Sequence, residues 1–539
     1  MANQLKDISQ IIFENMAETK KEFSEDVIKK LGSNETLMVY CKLCEMLNWF
    51  ALAERKESKS TKLILTVAEI IKWVAEEEYV DSVEKFEDVN VKKLERYYWK
   101  AYEAEQSTSA FLSENAKLFN VNILNSEKDK ERVQFKYKTK EIDYYESVNH
   151  LLVNDYLLSK GIAAQKYVEK YSKHGTPTDR LRTHAIINTE FELPDEYKIY
   201  NFTIGQIKEF WNEIYLQSMK VKSENQKTFK RLFQSHKPTV WKDVNEFNLI
   251  KLNYEGWNLQ SMNIDQIQEL LEILSYSGKK KLKTIHSSMV SEPIIKFPNG
   301  DYYIIPSVLW YHEAERYTLQ ILDKFVAHYQ NKGMTVATDD AKREMMFVQR
   351  LNDVFSYSKF KNDGVKIKDT DIDYIVYDQL SDTVICFETK WIIEPFTPSE
   401  IASKDKPLKK ALEVQLPKYK EGLESNTEEI LKKAFGKEFN HRPKYFYYFV
   451  LTNLTIGSGN LDRSNFKVIN YRMLKKAVHD TKGNLLAVSQ RLNAGITYLP
   501  KIKGNIDYKQ TKTKCFGVEV IQPEFKVNNE FSLEIKEQS

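Results

Sequence analysis

The chain is expected to be a multidomain α+β/α/β protein: a large helical N-terminal region followed by an α/β core with a central mixed sheet flanked by helices. Three observations predict this. Apolar residues recur at helical spacing through residues 1–115. Two consecutive runs, D-I-D-Y-I-V-Y-D ending at Asp378 and V-I-C-F-E-T-K-W ending at Trp391, are rich in β-branched and aromatic residues and are separated by a polar break of hairpin length. A third such run, K-Y-F-Y-Y-F-V-L-T-N-L ending at Leu454, follows a helical stretch, as the next strand of a sheet follows a crossover.

With 539 residues the chain has room for two to four domains. Residues 1–115 read as a helical domain, with apolar helical spacing in L-I-L-T-V-A-E-I-I-K-W-V-A-E-E-E and V-K-K-L-E-R-Y-Y-W-K-A-Y. The stripe Tyr97, Tyr98, Trp99 and Tyr102 reads as core or packing interface rather than as a base-stacking platform. Residues 116–290 read as mostly helical, or as a continuation of the first unit, with polar joints such as S-K-H-G-T-P-T-D. The pattern changes at Pro293, where I-I-K-F-P-N-G-D-Y-Y-I-I-P predicts a hairpin with Asn299 and Gly300 at its tip. A helix over 319–330 follows, and 291–465 form the core domain. Residues 466–539 form an α/β extension, with a helix over 471–478, that either completes the sheet or docks on the helical part.

Composition narrows the function. A net charge of +3 gives no chain-wide basic field. Lysines gather locally at Lys279, Lys280, Lys281 and Lys283, at Lys359, Lys361, Lys366 and Lys368, and at Lys404, Lys406, Lys409 and Lys410. Each group alone reads as solvated surface; the last two flank the candidate site, where phosphate contacts would be needed. Four cysteines give no disulfide framework and point to a reducing cytoplasm. Cys41 and Cys44 lie in an apolar helical run and read as core, not as zinc ligands. No G-x-x-x-x-G-K-[ST] loop, leader or long apolar run occurs, so neither an ATPase motor nor a membrane partner is expected.

The chemistry gathers on the two strand runs. Residues two apart on a strand share a face, so Glu388 and Lys390 point the same way. Antiparallel pairing would set Asp373, entering the first strand, opposite Glu388, leaving the second. Two carboxylates and an amine would then converge at a sheet end, as a divalent-metal site with a proton-handling group. The letters alone are weak, since Glu18-Thr19-Lys20 repeats them in a helical stretch, and the same residues also suit the solvated face of a half-exposed hairpin. Asp371 shares a face with Asp373 and is the alternative register. Upstream, A-K-R-E-M-M-F-V-Q-R-L-N-D-V-F predicts a helix with Glu344 at the edge of an apolar stripe. Downstream, Gln415 and Tyr419 are spaced i, i+4. Pro417 between them is expected to disfavour helical geometry at Leu416 and to leave Gln415 just outside the helix.

This order of elements, spanning Lys342 to Leu454, resembles the PD-(D/E)xK nuclease superfamily, and its last element resembles the Gln-x-x-x-Tyr motif of the RecB-like branch. The leading proline of the family is replaced by Ile372. The resemblance implies a restriction-endonuclease-like core that hydrolyses phosphodiester bonds, in DNA first, with RNA left open, using Mg²⁺ or Mn²⁺. Asp373 and Glu388 would be ligands with the Thr389 carbonyl as a third, and Lys390 would handle the proton or orient the attacking water. Glu344 would hold a second metal or its water, and Gln415 and Tyr419 would complete the site. By family analogy alone the role is anti-phage defence or DNA repair, with the helical region recognising a protein partner or substrate and an oligomer left open. The alternative is a catalytically inactive nuclease-fold subunit that binds nucleic acid or proteins. A helical interaction protein with no chemistry in its C-terminal part is the third reading.

Overall fold

The computed structural model describes residues 2–53, 57–82, 91–115, 119–124, 132–137, 195–234, 243–276, 292–311, 340–367, 370–392, 398–453, 466–494 and 506–527, with isolated positions between 278 and 333. Helices α1 (Ala2–Phe23), α2 (Ser33–Ala53), α3 (Glu57–Glu76) and α4 (Val91–Asn115) form the N-terminal bundle. Their apolar faces meet around Phe23, whose ring lies 5.5 Å from Trp73 and 5.3 Å from Tyr97. Gly32 ends the first helical run at φ 78°, where an added Cβ would lie 2.6 Å from the Ser82 nitrogen, so the turn needs glycine. Cys41 and Cys44 are buried in α2, and burial pushes both thiols up. Tyr97 and Tyr98 are buried as expected of a packing stripe, whereas Trp99 is 53% exposed.

Only part of residues 116–290 lies among the described residues. Beside α5 (Ile204–Gln234) and α6 (Ile264–Leu274), the described part carries the hairpin β1 (Phe119–Leu124) and β2 (Arg132–Tyr137) and the short strands β3 (Lys198–Ile199), β4 (Phe202–Thr203), β5 (Ile250–Lys251) and β6 (Ser275–Tyr276). The period-2 alternations Phe119, Val121, Ile123 and Val133, Phe135 are the signal for the hairpin. The predicted turn at Asn299 and Gly300 joins β7 (Ile294–Lys296) to β8 (Tyr302–Ile304), with Gly300 at φ 91°. This unit is tied to the bundle through the buried Glu45, which accepts hydrogen bonds from Trp49 Nε1 (2.9 Å), Asn225 Nδ2 (2.9 Å) and the Ser307 nitrogen (2.7 Å). The helix expected over 319–330 lies largely outside the described residues.

The C-terminal half is built on a five-stranded mixed sheet of order β13-β12-β11-β10-β9. Its strands are β9 (Phe360–Ile367), β10 (Thr370–Asp378), β11 (Thr383–Lys390), β12 (Tyr445–Thr452) and β13 (Lys467–Asn470). The first three run antiparallel and the last two join in parallel. The parallel step from β11 to β12 needs a crossover, supplied by α8 (Pro398–Lys410), a π-helical turn (Ala411–Gln415) and α9 (Leu416–Phe435). One sheet face, with Ile375, Val384, Cys386 and Val450, packs on Leu412, Leu416, Tyr419 and Leu423 of this crossover. The other, with Tyr374, Val376, Ile385, Phe387 and Phe449, packs on α7 (Asp340–Val354), α10 (Tyr471–Asp480) and α11 (Leu485–Ala494). Covered on both faces, β11 reads as an unbroken apolar run.

Two sequence expectations are revised here. Leu416 keeps helical geometry at φ −62°, ψ −38°, and so does Gln415. The π turn widens the helix just before Pro417, which sits in the first turn of α9, where its missing N–H is tolerated. The described residues of 466–539 divide between the core and the helical part. Strand β13 with α10 and α11 completes the core, whereas β14 (Ile506–Cys515) and β15 (Val518–Val527) pair with β1 and β2 against α4.

Candidate functional site

The antiparallel register of β10 and β11 ends at the pair Tyr374 and Phe387, and Asp373 and Glu388 are the next residues on their strands. That is the relation the sequence predicts. Both side chains fall on the face covered by α9, at the end where β11 and β12 run out together. Opposite Asp373 on the other side, β9 carries Gly364 at φ 65°, and the β9–β10 ladder skips this pair.

Five of the expected residues gather there. Lys390 Nζ lies 2.6 Å from Glu388 Oε1. Asp373 Oδ2 accepts from the Thr389 nitrogen at 2.7 Å and from Thr389 Oγ1 at 3.2 Å. Tyr419, reaching in from α9, places its hydroxyl against Glu388 Oε2 and 2.6 Å from the Asp371 carbonyl oxygen. Burial, reinforced by the charges of Asp373 and Glu388 and by the Glu388 hydrogen bond, pushes the Tyr419 hydroxyl far up, so it remains protonated. Glu388 is 1% exposed, so its charge is held almost wholly by Lys390 and Tyr419 rather than by water.

The other expected residues stand differently. Gln415 is half-buried in the π turn and makes no hydrogen bond to Asp373, Glu388 or Lys390 among the described residues. Glu344 belongs to α7, on the opposite face of the sheet, and its side chain lies outside the described residues. One turn later, Phe347 packs beside Tyr471 at 5.7 Å, immediately after β13, so the start of α7 is at the same sheet end as Lys390. Asp371, the alternative register, is exposed and pairs with Lys366 of β9; its main chain, not its carboxylate, serves the site. Of the flanking lysines, Lys361 is occupied in capping α7, donating to the carbonyl oxygens of Asn352 and Phe355.

Sequence reasoning missed Asn453. Its Oδ1 accepts from the Ile392 nitrogen at 2.8 Å and its Nδ2 donates to the Ile392 oxygen at 2.9 Å. This two-way clamp fixes the chain just past Lys390 to the end of β12. The signal is the amide near the end of the third apolar run.

Among the described residues, no three His, Cys, Asp or Glu side chains form a metal-holding group. The two carboxylates nonetheless fit a hard divalent cation. Glu388 Oε1 is buried and accepts no hydrogen bond of good geometry among the described residues; its Lys390 contact is an ion pair without a directed hydrogen bond. Mg²⁺ or Mn²⁺ takes one or two carboxylates and completes its shell with water and substrate oxygens. Comparison of the chain with protein-family models, with curated proteins and with solved structures finds no match. No helix of the described residues is long and apolar enough to cross a membrane.

Proposed function

We propose that this sheet end is the active site of a divalent-metal-dependent nuclease that hydrolyses phosphodiester bonds, in DNA first. The observation that carries the reading is Asp373 and Glu388 just beyond the last pair of two neighbouring strands, with the Thr389 nitrogen 2.7 Å from Asp373 and the Lys390 amine 2.6 Å from the Glu388 carboxylate. Asp373 and Glu388 would hold the cation, with the Thr389 carbonyl as a further donor and Glu344 left to a second metal or its water. The cation, when bound, supplies charge neutralisation at the phosphate and acidifies water. Lys390 orients the attacking water and handles its proton. Thr389 aims Asp373, and Tyr419 aims Glu388 as a neutral donor. Such fixed donors supply orientation without rearrangement during reaction.

A second reading is favoured by the way these groups already satisfy one another, Thr389 on Asp373 and Lys390 with Tyr419 on Glu388. On that reading the chain is a nuclease-fold subunit that binds nucleic acid or proteins without cutting. Purified protein incubated with linear, circular and single-stranded DNA and with RNA, with Mg²⁺ or Mn²⁺, decides between them. Cleavage lost in Asp373→Ala and Lys390→Ala supports the nuclease. Equal cleavage by wild type and both variants overturns the site, and a folded wild type that cuts nothing supports the binding subunit.

A further inference from the structure

The four-stranded sheet β1-β2-β15-β14 joins hairpins whose bonded residues Gln134 and Gln510 are 376 positions apart in sequence. Its inner face, with Val133, Phe135, Cys515 and Val520, is buried against α4. Its outer face is of a different kind. Register places Lys514, Glu519 and Arg132 side by side across three strands, then Lys512, Ile521 and Gln134 in the next row. Lys136 and Asn122 continue the same face on β2 and β1. Lys136, Lys512, Lys514, Asn122 and Gln510 are exposed. The one described carboxylate in these rows, Glu519, is 3.1 Å from Arg132 and so already balanced. Gln134 Nε2 donates to Gln510 Oε1 at 2.7 Å across β15, laying amides between the lysines.

We infer that this face is a docking surface for the phosphate backbone of nucleic acid, at a distance from the cutting site in sequence and on a separate sheet. The inference deepens the nuclease reading and rests on it for the identity of the partner. Charge complementarity selects the occupant. Lysines two apart on a strand stand about 7 Å apart on one face, and a polyanion with closely spaced phosphates meets them repeatedly. Exposed amides add donors for phosphate and sugar oxygens. A contact of lysines and amides with phosphate and sugar oxygens is indifferent to sequence. The exposed side chains are on a sheet whose inner face is packed, so the array is held at fixed spacing by the fold.

The test is fluorescence anisotropy of the full chain with a labelled random-sequence duplex in EDTA over a range of potassium chloride concentrations, so that nothing is cut. Lys512→Gln/Lys514→Gln is expected to weaken binding on the order of tenfold at low salt and to flatten the slope of log affinity against log salt by about two. Lys227→Gln/Lys230→Gln, which removes the same charge from exposed positions of α5, is expected to leave both near the wild-type values. Unchanged affinity and slope in the first variant, or an equal loss in the second, overturns the inference. A wild type that binds no duplex at low salt also overturns it and leaves an acidic protein surface as the partner. Because the divalent cation is absent, these results stand whether or not the protein proves to cut.

Discussion

Tyr419 and Glu388 meet where α9 crosses the end of β11, the tyrosine hydroxyl resting against Glu388 Oε2 and 2.6 Å from the Asp371 carbonyl oxygen. One proton serves two acceptors, and burial with the neighbouring carboxylates keeps it on the tyrosine. Tyr419→Phe therefore leaves both acceptors short of a donor in a dry place. The expected effect is a loss of about 1–3 kcal/mol in stability, read by chemical denaturation. Cleavage should fall on the order of tenfold to a hundredfold, as for groups that hold a ligand in place. A fully active, fully stable Phe variant would show that the tyrosine contact is incidental.

Asn453 gives a prediction of a different shape. Its two hydrogen bonds to the Ile392 main chain hold the segment after Lys390. In Asn453→Ala the amine and carboxylate stay but lose their alignment, so kcat should drop by roughly tenfold with substrate binding little changed. Steady-state kinetics check this, and a loss confined to KM would contradict it.

The N-terminal bundle carries a pH signature. Burial, with Glu69 adding to it, pushes the Glu105 carboxyl on α4 up to about 7 against the opposing pull of Gln106, Lys72 and Lys62. A carboxyl whose folded pKa is raised contributes stability that is complete below its unfolded value and is lost as pH rises through the folded one. The stability of wild type relative to Glu105→Gln should therefore decline between about pH 4.5 and 7. Melting temperatures of the two proteins across that range test it; parallel curves would contradict the burial of this group.

Metal affinity can be read without catalysis. Mn²⁺ at about a hundred times its dissociation constant should stabilise the folded chain by about 2.7 kcal/mol, raising the melting temperature. Asp373→Asn and Glu388→Gln should abolish the shift. A shift of the same size in both variants would place the ion elsewhere.

The site was more legible than its surroundings, and the reasons are local. Asp373 and Glu388 could be matched because the turn between their strands is short and the side-chain period is two, so register follows from counting. Strand β9 carries no strand signal in its sequence. Its run F-K-N-D-G-V-K-I has a single fully buried position, Val365, because it is the edge of the sheet and needs few apolar residues. Pro417 predicts a break because a proline removes an α-helical hydrogen bond; the π turn before it, which has no sequence signature of its own, absorbs that loss. The pairing of β2 with β15 is non-local, and periodicity within either hairpin carries no information about the partner.

Lys390→Ala is the most direct test of the central claim, that the Asp373–Glu388–Lys390 sheet end cuts phosphodiester bonds. Divalent-dependent DNA cleavage by the variant, with its melting temperature close to wild type, should be slower by a factor of about a hundred or more, the usual contribution of a proton-handling group. Cleavage at the wild-type rate by a folded Lys390→Ala protein would contradict the account.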